Sequence, residues 1–116
     1  MKYDLEERTI KFSENIIMLC KKIPNSTINM PIVSQLIRSA TSIGANYSEA
    51  NGASSQKDFR NKIFICKKEA RETKHWIRLL VTVEPNLKEE CRKLWQEAQE
   101  LIMIFQKITN SLRNAN

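Results

Sequence analysis

The sequence predicts an all-α protein folded as an antiparallel up-down-up-down four-helix bundle. Four stretches of its 116 residues carry apolar side chains at alternating steps of three and four, the spacing that lines one face of an α-helix. Pro24, Pro31, Pro85 and Asn51-Gly52 all fall at or just inside the boundaries of those stretches, where they do least harm to a helix. The connections left over are short, which makes sequence neighbours antiparallel. With 41% hydrophobic and 28% charged residues, the composition suits one packed helical domain, residues 1–116, better than a disordered chain or a loop-rich β fold.

From Asp4 to Lys22, the residues Leu5, Thr9, Phe12, Ile16, Leu19 and Ile23 form one stripe. Asp4, Glu6 and Glu7 in the first turns and Lys21 and Lys22 in the last complement the helix dipole, and Pro24, Asn25 and Ser26 stop the helix. Asn29 is placed to cap a second helix, with Pro31 near its first position. There Val33, Leu36, Ile37, Ala40, Ile43, Gly44 and Tyr47 continue as one stripe to about Asn51. A glycine inside a helix costs about 1 kcal/mol relative to alanine, so a close helix contact is the expected reason for Gly44 beside Ala40.

After the Asn51-Gly52 turn, Ser55 with Asp58 three residues on resembles a capping box. The third helix follows, and Phe59, Ile63, Cys66, Ala70, Thr73, Ile77 and Leu80 keep step without interruption towards Val83. Pro85 ends it. Leu87, Cys91, Leu94, Ala98, Leu101, Phe105, Ile108 and Leu112 then give the cleanest heptad pattern of the chain, the fourth helix.

Several function classes find no support in the residues. No apolar run approaches the roughly 18 to 20 residues of a membrane span, and the start MKYDLEER lacks a signal peptide's apolar core, so no membrane partner and a cytoplasmic location are expected. Cys20, Cys66 and Cys91 are odd in number and widely separated, and read as buried thiols rather than a zinc site or a disulfide framework. His75, the single histidine, stands beside Trp76 in a helix and is assigned no chemistry. Glu69 and Glu72 share a helix face but sit among Lys and Arg without a metal-ligating His, which favours ion pairs over acid-base catalysis. No enzyme, cofactor or metal is expected.

The charge is concentrated on the third helix. Between Lys57 and Arg78, eight Lys or Arg face three acids, an excess of five in a chain of net charge +6. Within it Arg60, Lys67, Arg71, Lys74 and Arg78 fall in a sector roughly 60° wide, centred about 100° from the core stripe. Such a ridge reads either as a solvated helix face or as a row of phosphate contacts, and the pI near 9.4 favours anionic partners such as nucleic acid. Phe64 is the nearest aromatic, so a stacking platform for single strands is not indicated.

A second, smaller apolar strip lies away from the core: Ile65, Trp76 and Leu79, with Glu69 and Glu72 between them. Trp95 and Ile102 add large apolar residues beside the main stripe of the fourth helix. Ile65, Glu69, Glu72, Trp76, Leu79 and Trp95 are therefore the candidate contacts of a homo-oligomer. On the second helix, Gln35, Arg38, Ser42, Ala45 and Glu49 make a polar, mostly small strip, which reads as solvated surface or as a place where another subunit approaches.

The central half of the chain resembles the small four-helix-bundle proteins encoded in intervening sequences of bacterial large-subunit ribosomal RNA genes. Arg38-Ser39, Thr41 to Asn46, Glu49-Ala50, Ser55, Asp58-Phe59, Lys62, Lys68 to Thr73, Trp76 and Leu79-Leu80 carry the resemblance. Tyr47 departs from the usual Ile-type residue. The resemblance implies a ring-like homo-oligomer, a pentamer in the members compared, with no enzymatic activity. It also implies a nucleic-acid-associated role, since a related branch serves as accessory factor to the reverse transcriptase of diversity-generating retroelements. RNA or another nucleic acid, a second copy of the chain, or a polymerase-like protein partner are thus the expected partners.

Overall fold

Each apolar stripe closes into a helix, and the capping residues set where it begins. The computed structural model of the chain describes residues 4–114, comprising α1 (Leu5–Cys20), α2 (Asn29–Asn51), α3 (Gln56–Val83) and α4 (Lys88–Asn114), the last entered through a 3-10 turn at Pro85–Leu87. Asp4 caps α1 by accepting the Glu7 N–H at 3.1 Å, and Ser55 caps α3 by accepting the Asp58 N–H at 3.0 Å. Each satisfies a donor that the first helical turn leaves open.

The expected cap of α2 is corrected. Ile28 already has helical dihedrals, and the Ser26 hydroxyl accepts the Asn29 N–H at 3.0 Å. Asn29 instead turns inward, buried, and donates its side-chain amide to the Pro24 carbonyl at 3.0 Å, tying the connection to the helix it precedes. Lys21 and Lys22 fall just past the end of α1 rather than in its last turn, and Lys22 reaches across to Glu90 of α4 at 2.8 Å.

The helices pack in a ring: α2 on α3, α3 on α4 and α1 on α2 closely, with α4 returning to α1 more loosely; the diagonal backbones stand further apart, and the Tyr47 ring of α2 reaches across to Phe105 of α4 at 6.3 Å. That cyclic order is the up-down-up-down bundle, drawn out to 48 × 25 × 21 Å. Phe12, Ile16 and Leu19 of α1, Leu36 and Ile43 of α2, Ile63, Ile77 and Leu80 of α3, and Leu101 and Phe105 of α4 fill its axis, all essentially without solvent contact. Ile102 joins this core, so the edge of the α4 stripe is wider than a strict heptad.

Small residues bring α1 against α2. A Cβ on Gly44 would stand 3.3 Å from the Thr9 Oγ1 and 3.5 Å from its Cβ. One turn away, the Ser13 hydroxyl lies 3.1 Å from the Thr9 carbonyl and 3.3 Å from the Ala40 carbonyl on the facing helix. Thr9, Ser13, Ala40 and Gly44 thus set the spacing of the pair. Gly44→Leu is expected to destabilise the protein by about 1 to 3 kcal/mol through overpacking. Unchanged chemical or thermal unfolding would show that α1 does not sit where Gly44 places it.

Candidate nucleic-acid interface

Helix α3 has two polar flanks, one beside α2 and one beside α4, and they differ in how their charges are satisfied. On the α2 flank, Arg38 projects from the facing helix and spans two carboxylates. Its guanidinium lies 3.2 Å from the Glu69 Oε1, binds the Glu72 Oε2, and donates through Nε to the Gln35 Oε1 at 2.9 Å. Glu72 also accepts the Trp76 indole N–H at 3.0 Å. Glu69 is only 8% exposed, and such a carboxylate persists when charged donors surround it. Nearer the turn, Lys62 binds Glu49 at 2.9 Å, a contact that raises the lysine pKa by stabilising its charged form.

Behind these ion pairs the seam is buried. The Thr73 hydroxyl stands 2.9 Å from the Ser39 hydroxyl and 2.8 Å from the Glu69 carbonyl, while Ser39 lies 3.3 Å from the Leu36 carbonyl. In either direction around this set both hydroxyl hydrogens find an acceptor, one of them the other hydroxyl and one a carbonyl. The Cys66 thiol points at the Ile43 carbonyl at 3.5 Å. Burial pushes that thiol up to about 12, and Cys20 and Cys91 up to about 11, so all three hold their protons at neutral pH and supply no thiolate nucleophile.

On the α4 flank lie the five cations of the expected ridge, and the structure divides them. Lys67 is 9% exposed, donates to the Gln106 Oε1 at 2.7 Å, and stands 4.8 Å from the Phe64 ring centre. Lys74 donates to the Gln99 Oε1 at 2.5 Å and lies 4.2 Å above the Trp95 ring. Arg60 rests 4.7 Å over the other aromatic neighbour, Phe64, and its Nε is buried without a hydrogen-bond partner among the described residues. These three are spaced by seven and point into the α3–α4 seam. Arg71 and Arg78 are exposed on its outer edge, and no carboxylate binds either among the described residues.

Each of those two arginines borders a shallow groove. Arg71 meets Met103, Gln106, Lys107 and Asn110 around an open volume of about 610 Å³; Arg78 meets Val81, Lys88, Arg92 and Trp95 around about 360 Å³. Cations of both helices therefore border each groove, with Glu100 also lining the first and Glu89 binding Arg92 at 2.5 Å beside the second. Sequence reasoning missed Gln99, Gln106 and Asn110, although Gln99 and Gln106 are seven apart, as Lys67 and Lys74 are. In antiparallel helices that shared spacing pairs them, and it was the available signal.

The candidate oligomer contacts also separate. Ile65, Glu69, Glu72, Trp76 and Leu79 lie on the α2 flank, Glu69 and Glu72 being engaged by Arg38, while Leu79 is 37% exposed and Trp76 and Ile65 are half-buried. Trp95 is on α4, at the opposite flank.

A sequence profile described as 23S rRNA-intervening sequence protein matches residues 1–111, nearly the whole chain. The chain belongs to that family. A solved structure of similar fold, from Bacteroides thetaiotaomicron, is described as a protein with unknown function from the S23 ribosomal protein family. It is 33% identical, covers 91% of this chain and 98% of its own, and superposes with a TM-score of 0.83. No curated protein matches.

For this member of the 23S rRNA-intervening sequence proteins, some of the residues that carried the resemblance converge on one place. Arg38-Ser39, Ile43-Gly44, Glu69, Glu72-Thr73 and Trp76 meet at the α2–α3 seam or at its border with α1. Their first role is structural. Arg38→Ala is expected to destabilise the protein by about 1.5 to 3 kcal/mol, the worth of hydrogen bonds to charged groups. Arg38→Lys recovers only part, because a single ammonium cannot span two carboxylates. Denaturant unfolding of both variants checks this, and equal stability of lysine and arginine would reject the bridging role.

Proposed function

We propose that this family member is a non-enzymatic, self-associating protein that meets RNA through the α3–α4 face. The observation that carries the reading is the localisation of positive charge: Arg71 and Arg78 exposed, Arg60, Lys67 and Lys74 directly behind them, and Lys107 and Lys88 across the two grooves, Arg92 being paired with Glu89. Such a face attracts a phosphate backbone at long range and binds it by displacing counterions. Arg71 and Arg78 make the direct contacts. Arg60, over the Phe64 ring at 4.7 Å, adds to the positive field beside them. Lys67 and Lys74, held by amides and rings, contribute their field from within.

The non-enzymatic part rests on what the polar groups already do. The thiols are protonated, Glu69 and Glu72 neutralise Arg38, and the exposed His75 stacks edge-on against Trp76 at 4.9 Å. Self-association is supported by the Trp76 and Leu79 patch on one flank of α3 and Trp95 on the other. Two different patches on one subunit suit a head-to-tail ring better than a two-fold dimer. The same apolar flank supports a second reading, a scaffold or accessory factor for a polymerase-like protein.

Arg71→Glu with Arg78→Glu is expected to weaken RNA binding and to flatten its dependence on the logarithm of salt concentration by about 1.4 to 1.8, the loss of two phosphate contacts. Helicity stays intact, because both side chains are exposed. Unaltered affinity and slope would move the scaffold reading to first place. Light scattering is expected to give a multiple of the 13.5 kDa protomer, five by the family resemblance, reduced by Leu79→Asp. A strictly monomeric species at micromolar concentration would overturn self-association.

A further inference from the structure

We infer that the α3–α4 face selects double-stranded over single-stranded RNA and reads it without regard to base sequence, an inference that rests on the RNA reading above and narrows it. Proteins that hold single strands without specificity present open aromatic faces on which successive bases stack. Two rings border this face, Phe64 and Trp95, and cations already engage both. Arg60 and Lys67 lie 4.7 and 4.8 Å from the centre of Phe64, and Lys74 lies 4.2 Å from the centre of Trp95.

Freeing those rings is costly. Lys67 would give up its bond to Gln106 and Lys74 its bond to Gln99, each a charge-assisted contact, besides the attraction to the ring itself. Trp76 lies on the other flank, donating to Glu72 beside the buried Glu69, and Arg38 and Lys68 balance both carboxylates, so that flank carries no excess positive charge. His75, exposed about one turn from both Arg71 and Arg78, stands edge-on to Trp76 at 4.9 Å. Tyr47 and Phe105 pack on one another, and Phe105 has no solvent contact. Among the described residues, the positive charge therefore lies beside one small imidazole and two cation-covered rings, not beside a row of open aromatic faces.

What the face offers is charge alone, along a line from Arg60 to Arg78 of about 27 Å at 1.5 Å per residue. A surface that senses only charge discriminates by charge density, and a duplex presents roughly twice the phosphates per unit length of one strand. The amides of Gln106 and Asn110, already bonded to each other at 2.8 Å, do not point to base-edge recognition. Double-stranded RNA is in any case recognised mainly by backbone and shape, because its deep groove hides the bases.

The test titrates the full-length protein with a hairpin duplex of about 16 base pairs and with an unstructured uridine strand carrying the same number of phosphates, at about 0.15 M salt. The expected result is duplex affinity at least about tenfold tighter, with shuffled duplex sequences bound alike. Phe64→Leu, checked for helicity and assembly mass, is expected to leave both affinities unchanged. Preference for the single strand, a spread among shuffled duplexes, or a loss on the single strand of about 5- to 100-fold in that variant overturns the inference while leaving RNA association in place. Binding to neither RNA overturns both.

Discussion

Ser39 and Thr73 are fully buried in the middle of the α2–α3 seam, hydroxyl to hydroxyl. Buried polar groups are tolerated only when paired, so this contact penalises any sliding or turning of α3 against α2 that would leave either unmatched. With that registration fixed, Arg38 stands opposite Glu69 and Glu72 on the outside of the seam, and Cys66 faces the Ile43 carbonyl inside it. The rotation of α3 follows. Its acidic and aromatic flank is turned to α2 and its basic flank to α4, and everything inferred about binding depends on that orientation.

The basic flank poses a physical problem of its own, because five cations along one side of a helix repel one another and oppose folding. The structure relieves it by dividing them. Arg60, Lys67 and Lys74, at one residue in seven, turn into the seam against two aromatic faces and two glutamine carbonyls, while Arg71 and Arg78 stay in water. Attraction to ring quadrupoles and amide dipoles offsets part of the repulsion without pairing any of these three with a carboxylate among the described residues. The face therefore keeps a positive excess, although Glu100 lines the Arg71 groove and more than half of the cations are anchored.

Helix limits and the core were legible in the sequence wherever one local rule decided them. Ser55 and Asp58 mark the start of α3, and its stripe from Ile63 to Leu80 is buried as the three-four spacing requires. Asn29 was misread because Ser26 competes for the same donor from three residues upstream, and only the path of the connection shows which one reaches it. Of the ridge, the helical sector was readable but the depth of each side chain was not. A lysine stem can lie outward or bend into a seam, and for Lys67 the choice rests on Gln106, 39 residues away. Arg38 likewise looked like part of a small polar strip until α3 supplied its two carboxylates.

The looser closure of α4 on α1 bears on how the molecule breathes. The α1–α4 edge depends on ion pairs at its margins, Arg8 with Glu97 and Glu100 and Lys22 with Glu90, all at least partly exposed. Exposed pairs of this kind contribute little free energy and weaken as salt rises. Sub-global opening follows the least expensive seam, which here detaches α1 and leaves α2, α3 and α4 still packed on one another. Amide protons of α1 would then exchange with solvent ahead of those of α3, and rising ionic strength would widen the gap between the two.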